Sequence, residues 1–91
     1  MHYELVETMR NNQTKKGVKF EAECKKYMIL RHINSKEQLR SLTTVGSNRT
    51  FLKYFKDPDL MPLGVANEIM EALKVPNLER ASFIEMLMGG N

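Results

Sequence analysis

The sequence predicts an all-α protein folded as a compact bundle of about five helices. Apolar residues recur at steps of three and four in several segments after residue 18, which is the spacing of one helix face. Prolines, asparagines, serines and glycines separate these segments, as expected for short connections between helices. The chain of 91 residues is long enough for one domain with a single core.

The first predicted helix covers about residues 18–32. Phe20 and Cys24 lie one turn apart on its inward face, and the adjacent Ile29 and Leu30 widen the apolar stripe. A stripe of that width is typical of a helix that packs on more than one neighbour. Cys24 is therefore interpreted as a small core residue and not as a reactive thiol.

A short second helix is predicted over about residues 36–43. Ser35 followed by Gln38 has the spacing of a capping box, and the residues one position earlier offer an equal alternative. Leu39 and Leu42 stand three residues apart and are expected to be buried.

The third predicted helix, 48–56, has two contrasting faces. One face carries three aromatic residues: Phe51, Tyr54 and Phe55. The opposite face carries one apolar and three basic residues: Arg49, Leu52, Lys53 and Lys56. Ser47 or Asn48 can cap the start of this helix, and Pro58 prevents its continuation.

Two further helices complete the predicted bundle. Pro62 opens the fourth, whose inward residues are Ala66, Ile69, Met70 and Leu73. Pro76 ends it, and Asn77 is expected to cap the fifth helix. The predicted apolar side of the fifth helix consists of Leu78, Ala81, Ile84, Leu87 and Met88.

Composition argues against an enzyme and against a membrane protein. His2 and His32 are the histidines of the chain, and no Gly-rich phosphate loop, zinc-ligand spacing or nucleophile motif occurs. We therefore expect no catalytic residue, cofactor, metal or small-molecule ligand, and interpret His32 as complementing a helix dipole. No apolar run is long enough to span a bilayer, and the N-terminus has no secretory signal pattern. The single cysteine cannot form an internal disulfide, so we expect the protein to be cytoplasmic.

The charge distribution indicates a face for polyanions. Residues 1–56 hold twelve basic and five acidic residues, whereas residues 57–91 hold two basic and six acidic ones. Within the basic part, a short helix, a turn near a glycine and an aromatic-anchored helix form a helix-turn-helix arrangement. Such a unit presents its second helix to the major groove of double-stranded DNA.

The stretch from Phe20 to Leu87 resembles the helix-turn-helix DNA-binding domain of the lambda repressor and Cro type, found in phage and bacterial regulators, and three segments carry the resemblance. The segment 61–75 (MPLGVANEIMEALKV) is similar to the fourth helix of that family, in which a proline-led stretch precedes an apolar helix ending Ala-Leu-x-Val. The segment 35–39 (SKEQL) resembles the start of its second helix. The segment 47–55 (SNRTFLKYF) resembles its recognition helix, with Phe51 and Tyr54 at the two buried positions.

The resemblance implies a DNA-binding role for particular positions. Lys36 falls where the family contacts a phosphate, and the outward positions of the recognition helix are Ser47, Asn48, Arg49, Leu52 and Lys53, with Lys56 extending its basic face. Arg49 and Lys53 are expected to reach guanine edges or phosphates, Asn48 an adenine and Leu52 a thymine methyl. The chain departs from the family pattern at Arg40, where a small alanine is usual, and in a turn about one residue longer.

These observations predict a sequence-specific transcriptional regulator of a phage or mobile element, acting on an operator as a dimer. Residues 1–17 are predicted to be an N-terminal arm or short extra element, 18–88 the helix-turn-helix domain, and 89–91 a flexible tail. The dimer is expected to form through Phe83, Met86 and Met88 of the last helix. The alternative is a protein-binding module on the same scaffold, and RNA binding is a weaker third option.

Overall fold

The computed structural model of the chain describes residues 13–89, which form five α-helices, one 3-10 turn and no strand. The helices are α1 (Lys15–Leu30), α2 (Lys36–Arg40), α3 (Asn48–Lys56), α4 (Leu63–Leu73) and α5 (Asn77–Met88), and the 3-10 turn covers Pro58–Leu60. The predicted all-α class is confirmed, and the five helices of the described range agree with the predicted number. Within the described range, no helix is both long and apolar enough to cross a bilayer.

Aromatic rings from three helices meet at the centre of the core. The Phe20 ring lies 5.1 Å from the Phe55 ring and 5.9 Å from the Phe83 ring, the latter in an edge-on arrangement. Phe51 packs edge-on against Phe55 at 5.3 Å. Cys24 is fully buried beside them, as predicted, and burial raises the pKa of its thiol. These contacts join α1, α3 and α5 in one core.

Helix α1 begins three residues earlier than the sequence predicted and passes very close to the end of α3. The Thr14 hydroxyl caps α1 by accepting the Gly17 N–H at 2.9 Å, and the Thr14 N–H donates to the Lys56 carbonyl at 2.9 Å. A Cβ atom on Gly17 would lie 2.5 Å from the carbonyl oxygens of Phe55 and Lys56. Residues 13–17, which the sequence assigns to an N-terminal arm or short extra element, therefore supply a helix start and a tight helix contact.

Helices α1 and α4 are each followed by a residue that is in the left-handed conformation although it is not glycine. Helix α1 ends at Leu30, and His32 beyond it has a φ of 60°. The Ile33 N–H donates to the Met28 carbonyl at 2.9 Å, and burial of Ile33 completes a Schellman motif. Lys74 has a φ of 54° in the same motif after α4. Helix α1 therefore ends two residues before the predicted end, and His32 lies just beyond it, within the capping motif.

Some apolar residues of α1 and of the segment around α2 that the sequence assigned to the core are exposed. Ile29 is 75% exposed, Leu30 59% and Leu42 56%. Leu42 is exposed because α2 stops at Arg40, three residues before the predicted end, and leaves it in the following turn. On α3 the buried rings are Phe51 and Phe55, whereas Tyr54 is half-buried.

Helix α5 is rotated relative to the prediction. It buries Phe83 and Leu87, while Leu78 is 92% exposed and Met88 73%. Met86 is partly buried against the core, so of the three residues expected at a dimer interface Met88 is the exposed one. Pro76 and not Asn77 occupies the position before the helix, and no side chain caps this end.

Candidate nucleic-acid interface

The connection between α2 and α3 is long and held by its own side chains. It spans residues 41–47, and the Arg40 guanidinium donates to the Val45 carbonyl at 3.0 Å. The Thr43 hydroxyl donates to the Arg40 carbonyl at 2.8 Å, and its oxygen accepts the Val45 N–H at 3.2 Å. Arg40, at the position where the resembled family has a small residue, therefore braces a longer turn from inside.

Helix α4 fixes this connection from outside through Glu68. Its carboxylate accepts the Thr44 N–H at 2.8 Å and the Thr44 hydroxyl at 2.8 Å. These donors, the backbone N–H first, hold the pKa of Glu68 below its ordinary value. Sequence reasoning missed Glu68, because it lies 24 residues beyond its partner and no local spacing signals the contact.

The outer face of α3 brings together six of the seven predicted site residues. Ser47 caps the helix by accepting the Thr50 N–H at 3.3 Å. The other five are exposed and line a shallow concavity of about 500 Å³: Asn48, Arg49, Leu52, Lys53 and Lys56. Leu52 is 38% exposed in the middle of this group. We term these five residues the α3 face.

The three cations of the α3 face form no ion pair with any residue in 13–89. Lys53 and Lys56 lie in the last turn of α3, where the helix dipole favours positive charge. The inner side of the same helix is anchored by the fully buried Phe51 and Phe55. The face therefore combines solvent-accessible positive charge with a rigid support.

Lys36, the seventh predicted site residue, lies in a different setting. Its ammonium is 2.6 Å from a Glu21 carboxylate oxygen and 5.0 Å from the centre of the Phe55 ring. Glu21 also accepts a hydrogen bond from the Gln13 amide at 2.8 Å. Lys36 thus joins α2 to α1 and α3, and its charge is balanced within the protein. The phosphate contact expected of Lys36 stays a prediction, and it would compete with the Glu21 ion pair.

The ionisation of Glu21 reflects these partners. Burial raises the pKa of its carboxyl, but the hydrogen bonds from Lys36 and Gln13 and the charges of Lys36 and Lys25 outweigh burial and lower it. Glu21 is therefore an ionised, half-buried acceptor. Sequence reasoning missed Glu21 and Gln13, because their contacts with Lys36 and Phe55 join segments that are distant in the chain.

The C-terminal end of α3 is capped by residues that precede α1. The Gln13 amide donates to the Phe55 carbonyl at 3.0 Å, and the Thr14 hydroxyl donates to the Lys56 carbonyl at 3.1 Å. The last carbonyls of a helix have no partner within the helix, so these donors replace water there. Together with Ser47 at the other end, they fix α3 along its length.

The aspartates that follow α3 are engaged with the protein. Asp57 accepts the Asp59 N–H at 3.2 Å and so caps the 3-10 turn. Asp59 accepts a hydrogen bond at 2.6 Å from Lys16, whose ammonium also donates to the Leu87 carbonyl at 2.7 Å. The Asp59 charge is therefore balanced by Lys16, which reduces the repulsion that a phosphate near the end of α3 would meet.

Comparison with known proteins assigns this chain to no family. No protein-family model matches it, and neither a curated protein nor a solved structure is significantly similar. In residues 13–89 there is no group of three or more histidine, cysteine or acidic side chains placed to hold a metal ion. Support for a function therefore comes from the geometry and the charge of the described residues.

Proposed function

We propose that this protein is a sequence-specific DNA-binding regulator of the lambda repressor and Cro type, and that α3 enters the major groove. The observation that carries the proposal is the α3 face: three cations, an amide and a leucine exposed on one side of a helix. The opposite side of that helix is fixed by the buried Phe51 and Phe55. A groove-reading helix needs both properties.

The contacts around α3 support this proposal because base recognition depends on a fixed angle of approach. Ser47 holds the start of the helix, Gln13 and Thr14 hold its end, and Glu68 holds the turn before it. Hydrogen bonds to base edges tolerate little misplacement, so a loosely held helix would bind phosphates without reading sequence.

Double-stranded DNA fits the α3 face better than single-stranded RNA does. Proteins that read unpaired bases stack them on exposed aromatic rings. Here Phe20, Phe51, Phe55 and Phe83 are buried in the core. Arginine, lysine and asparagine side chains on an exposed helix instead match the hydrogen-bonding groups of the major groove.

A protein-binding module on the same scaffold is the second candidate function. The long connection 41–47 favours it, because this turn differs from the short one typical of a DNA-binding helix-turn-helix. Salt dependence separates the two functions. Affinity for DNA falls steeply with rising salt as counterions are released, whereas an apolar protein interface responds little.

The proposal is tested by selecting bound sequences from a random duplex pool at low salt and then titrating the selected site. We expect enrichment of one motif, and we expect Arg49→Ala to weaken binding by about tenfold or more without changing thermal stability. Lys26→Ala is the matched control, because Lys26 lies on α1 and pairs with Glu23 at 3.1 Å. Absence of any enriched motif, or equal effects of the two substitutions, would refute the proposal.

A further inference from the structure

The part of the connection that leads into α3 is held by side chains. Within residues 13–89, the backbone groups of 44–46 form no hydrogen bond with another backbone group. Gly46 leaves open space around it, since an added Cβ atom would have no neighbour within 4 Å. The direction in which the chain enters α3 at Asn48 therefore depends on the side-chain contacts of Thr44 and Val45.

The contacts of Val45 are local or apolar. The Arg40 guanidinium donates to the Val45 carbonyl at 3.0 Å, and the Thr43 hydroxyl oxygen accepts the Val45 N–H at 3.2 Å. These two bonds fix the shape of the turn and tie it to the end of α2. The Val45 side chain is half-buried against the core, through an apolar contact that has no preferred direction. None of these contacts fixes the turn relative to α4.

The contact with α4 comes from Glu68. Its Oε1 atom accepts the Thr44 N–H and its Oε2 atom accepts the Thr44 hydroxyl, each at 2.8 Å. Two acceptors on one planar, charged group fix the orientation of Thr44 as well as its distance. Glu68 directly precedes Ile69, which is fully buried, so this acceptor is anchored in the core.

We infer that Glu68, acting through Thr44, is a positioning residue that sets the angle at which the start of α3 meets DNA and thereby determines sequence specificity. The inference rests on the proposed DNA-binding function, and Glu68 lies outside the α3 face. Hydrogen bonds to base edges require good distances and angles. A site that reads bases therefore depends on the residues that support its side chains from behind.

The two ends of α3 are held independently. Residues 13–14 cap its C-terminal end, where Lys53 lies. Its start, with Arg49, follows the connection that Glu68 holds. In a DNA complex, loss of the Glu68 contact therefore displaces Arg49 from a base edge. Lys53 keeps its phosphate, because a flexible lysine adapts to a small shift.

The test compares Glu68→Ala with Glu71→Ala as its matched control. Glu71 lies on the same helix, is exposed and pairs with Arg80 of α5 at 3.0 Å. Each variant loses one carboxylate, so both change the net charge equally. Duplex titration at constant salt measures affinity for the selected site and for a scrambled duplex of equal length. The ratio of these two affinities is the specificity.

We expect Glu68→Ala to lower this ratio about tenfold or more, which is the discrimination that one well-placed base contact provides. Affinity for the scrambled duplex should stay within about twofold of that of Glu71→Ala, because the phosphate contacts remain. Glu71→Ala should keep the ratio of the wild type. A contact that only stabilised the fold would lower both affinities by the same factor and leave the ratio unchanged.

Thr44 provides a second test that alters no charge. Thr44→Ser keeps both donors to Glu68 and should keep the wild-type ratio, whereas Thr44→Val loses the hydroxyl and should lower it. Combining Thr44→Val with Glu68→Ala should lower the ratio no further than Glu68→Ala alone, since both changes remove one interaction.

Three results would overturn the inference: an unchanged ratio in Glu68→Ala, an equal fall in Glu71→Ala, or additive effects of Glu68→Ala and Thr44→Val. Each of them leaves a wild type that still discriminates between duplexes, so the proposed function survives. A wild type that binds the selected and the scrambled duplex equally would refute the proposed function, and the inference with it.

Discussion

Lys36 and Glu21 form an ion pair in which the ammonium lies 2.6 Å from the carboxylate and above the Phe55 ring. Because this charge is balanced within the protein, we expect Lys36→Met to leave the salt dependence of DNA binding unchanged. The same substitution at Lys53, which is unpaired in 13–89, should make the slope of log affinity against log salt less steep by about one. Lys36→Met should instead lower the free energy of unfolding by about 1–2 kcal/mol. A salt slope that changes equally in both variants would show that Lys36 contacts phosphate.

The same ion pair makes the stability of the protein depend on pH. The pKa of Glu21 is lowered in the folded state, so its ionised form stabilises the fold at pH values above the ordinary carboxyl pKa. This contribution is lost as the pH falls through the lowered pKa. We expect Glu21→Gln to reduce stability at pH 7 and to flatten the acid side of the stability curve, measured by urea unfolding. Parallel curves for the wild type and Glu21→Gln would contradict this assignment.

The sequence predicted helix α3 well because its signals are local. Ser47 provides the cap, Pro58 the stop, and the aromatic and basic residues repeat with opposite phases on the two faces. The bounds 48–56 and the exposed position of Arg49 and Lys53 both follow from these signals.

Other features have no local signal. Helix α5 is apolar on more than one side, so periodicity does not show that Phe83 rather than Leu78 is buried. The contacts of Glu21 with Lys36 and of Glu68 with Thr44 join residues that are distant in the chain. Such pairs can be identified from the packing of the helices but not from the local sequence.

Gly17 and Gly64 provide a matched pair for testing the contact between α1 and α3. Both lie within helices, where alanine is intrinsically favoured by about 1 kcal/mol. Gly64→Ala should therefore stabilise the protein, because its Cβ atom would meet nothing within 4 Å. Gly17→Ala should destabilise it by about 1–3 kcal/mol, since the new atom would lie 2.5 Å from two backbone carbonyl oxygens of α3. Thermal unfolding measures both changes, and a stabilised Gly17→Ala would disprove the close approach.

His32 adopts the left-handed conformation with an exposed side chain, so its replacement by glycine should stabilise the protein. A residue with a Cβ atom is strained at this φ, whereas glycine is not. We expect His32→Gly to raise the free energy of unfolding by about 0.5–1 kcal/mol. His32→Ala keeps the strain and serves as the control. Equal stability of the two variants in urea unfolding would indicate that the helix end is not left-handed in solution.

Leu52 is the apolar member of the α3 face, and in the proposed DNA complex we expect it to contact the methyl group of a thymine. Replacing each thymine of a selected site by uracil removes the methyl group alone. At one position this change should weaken the affinity of the wild type about fourfold, which corresponds to the free energy of burying one methyl group. The effect should vanish in Leu52→Ala and persist in Lys53→Ala, as measured by duplex titration at constant salt. If Leu52→Ala retains the full uracil penalty, Leu52 does not face that base, and the orientation of α3 in the groove differs from the one proposed.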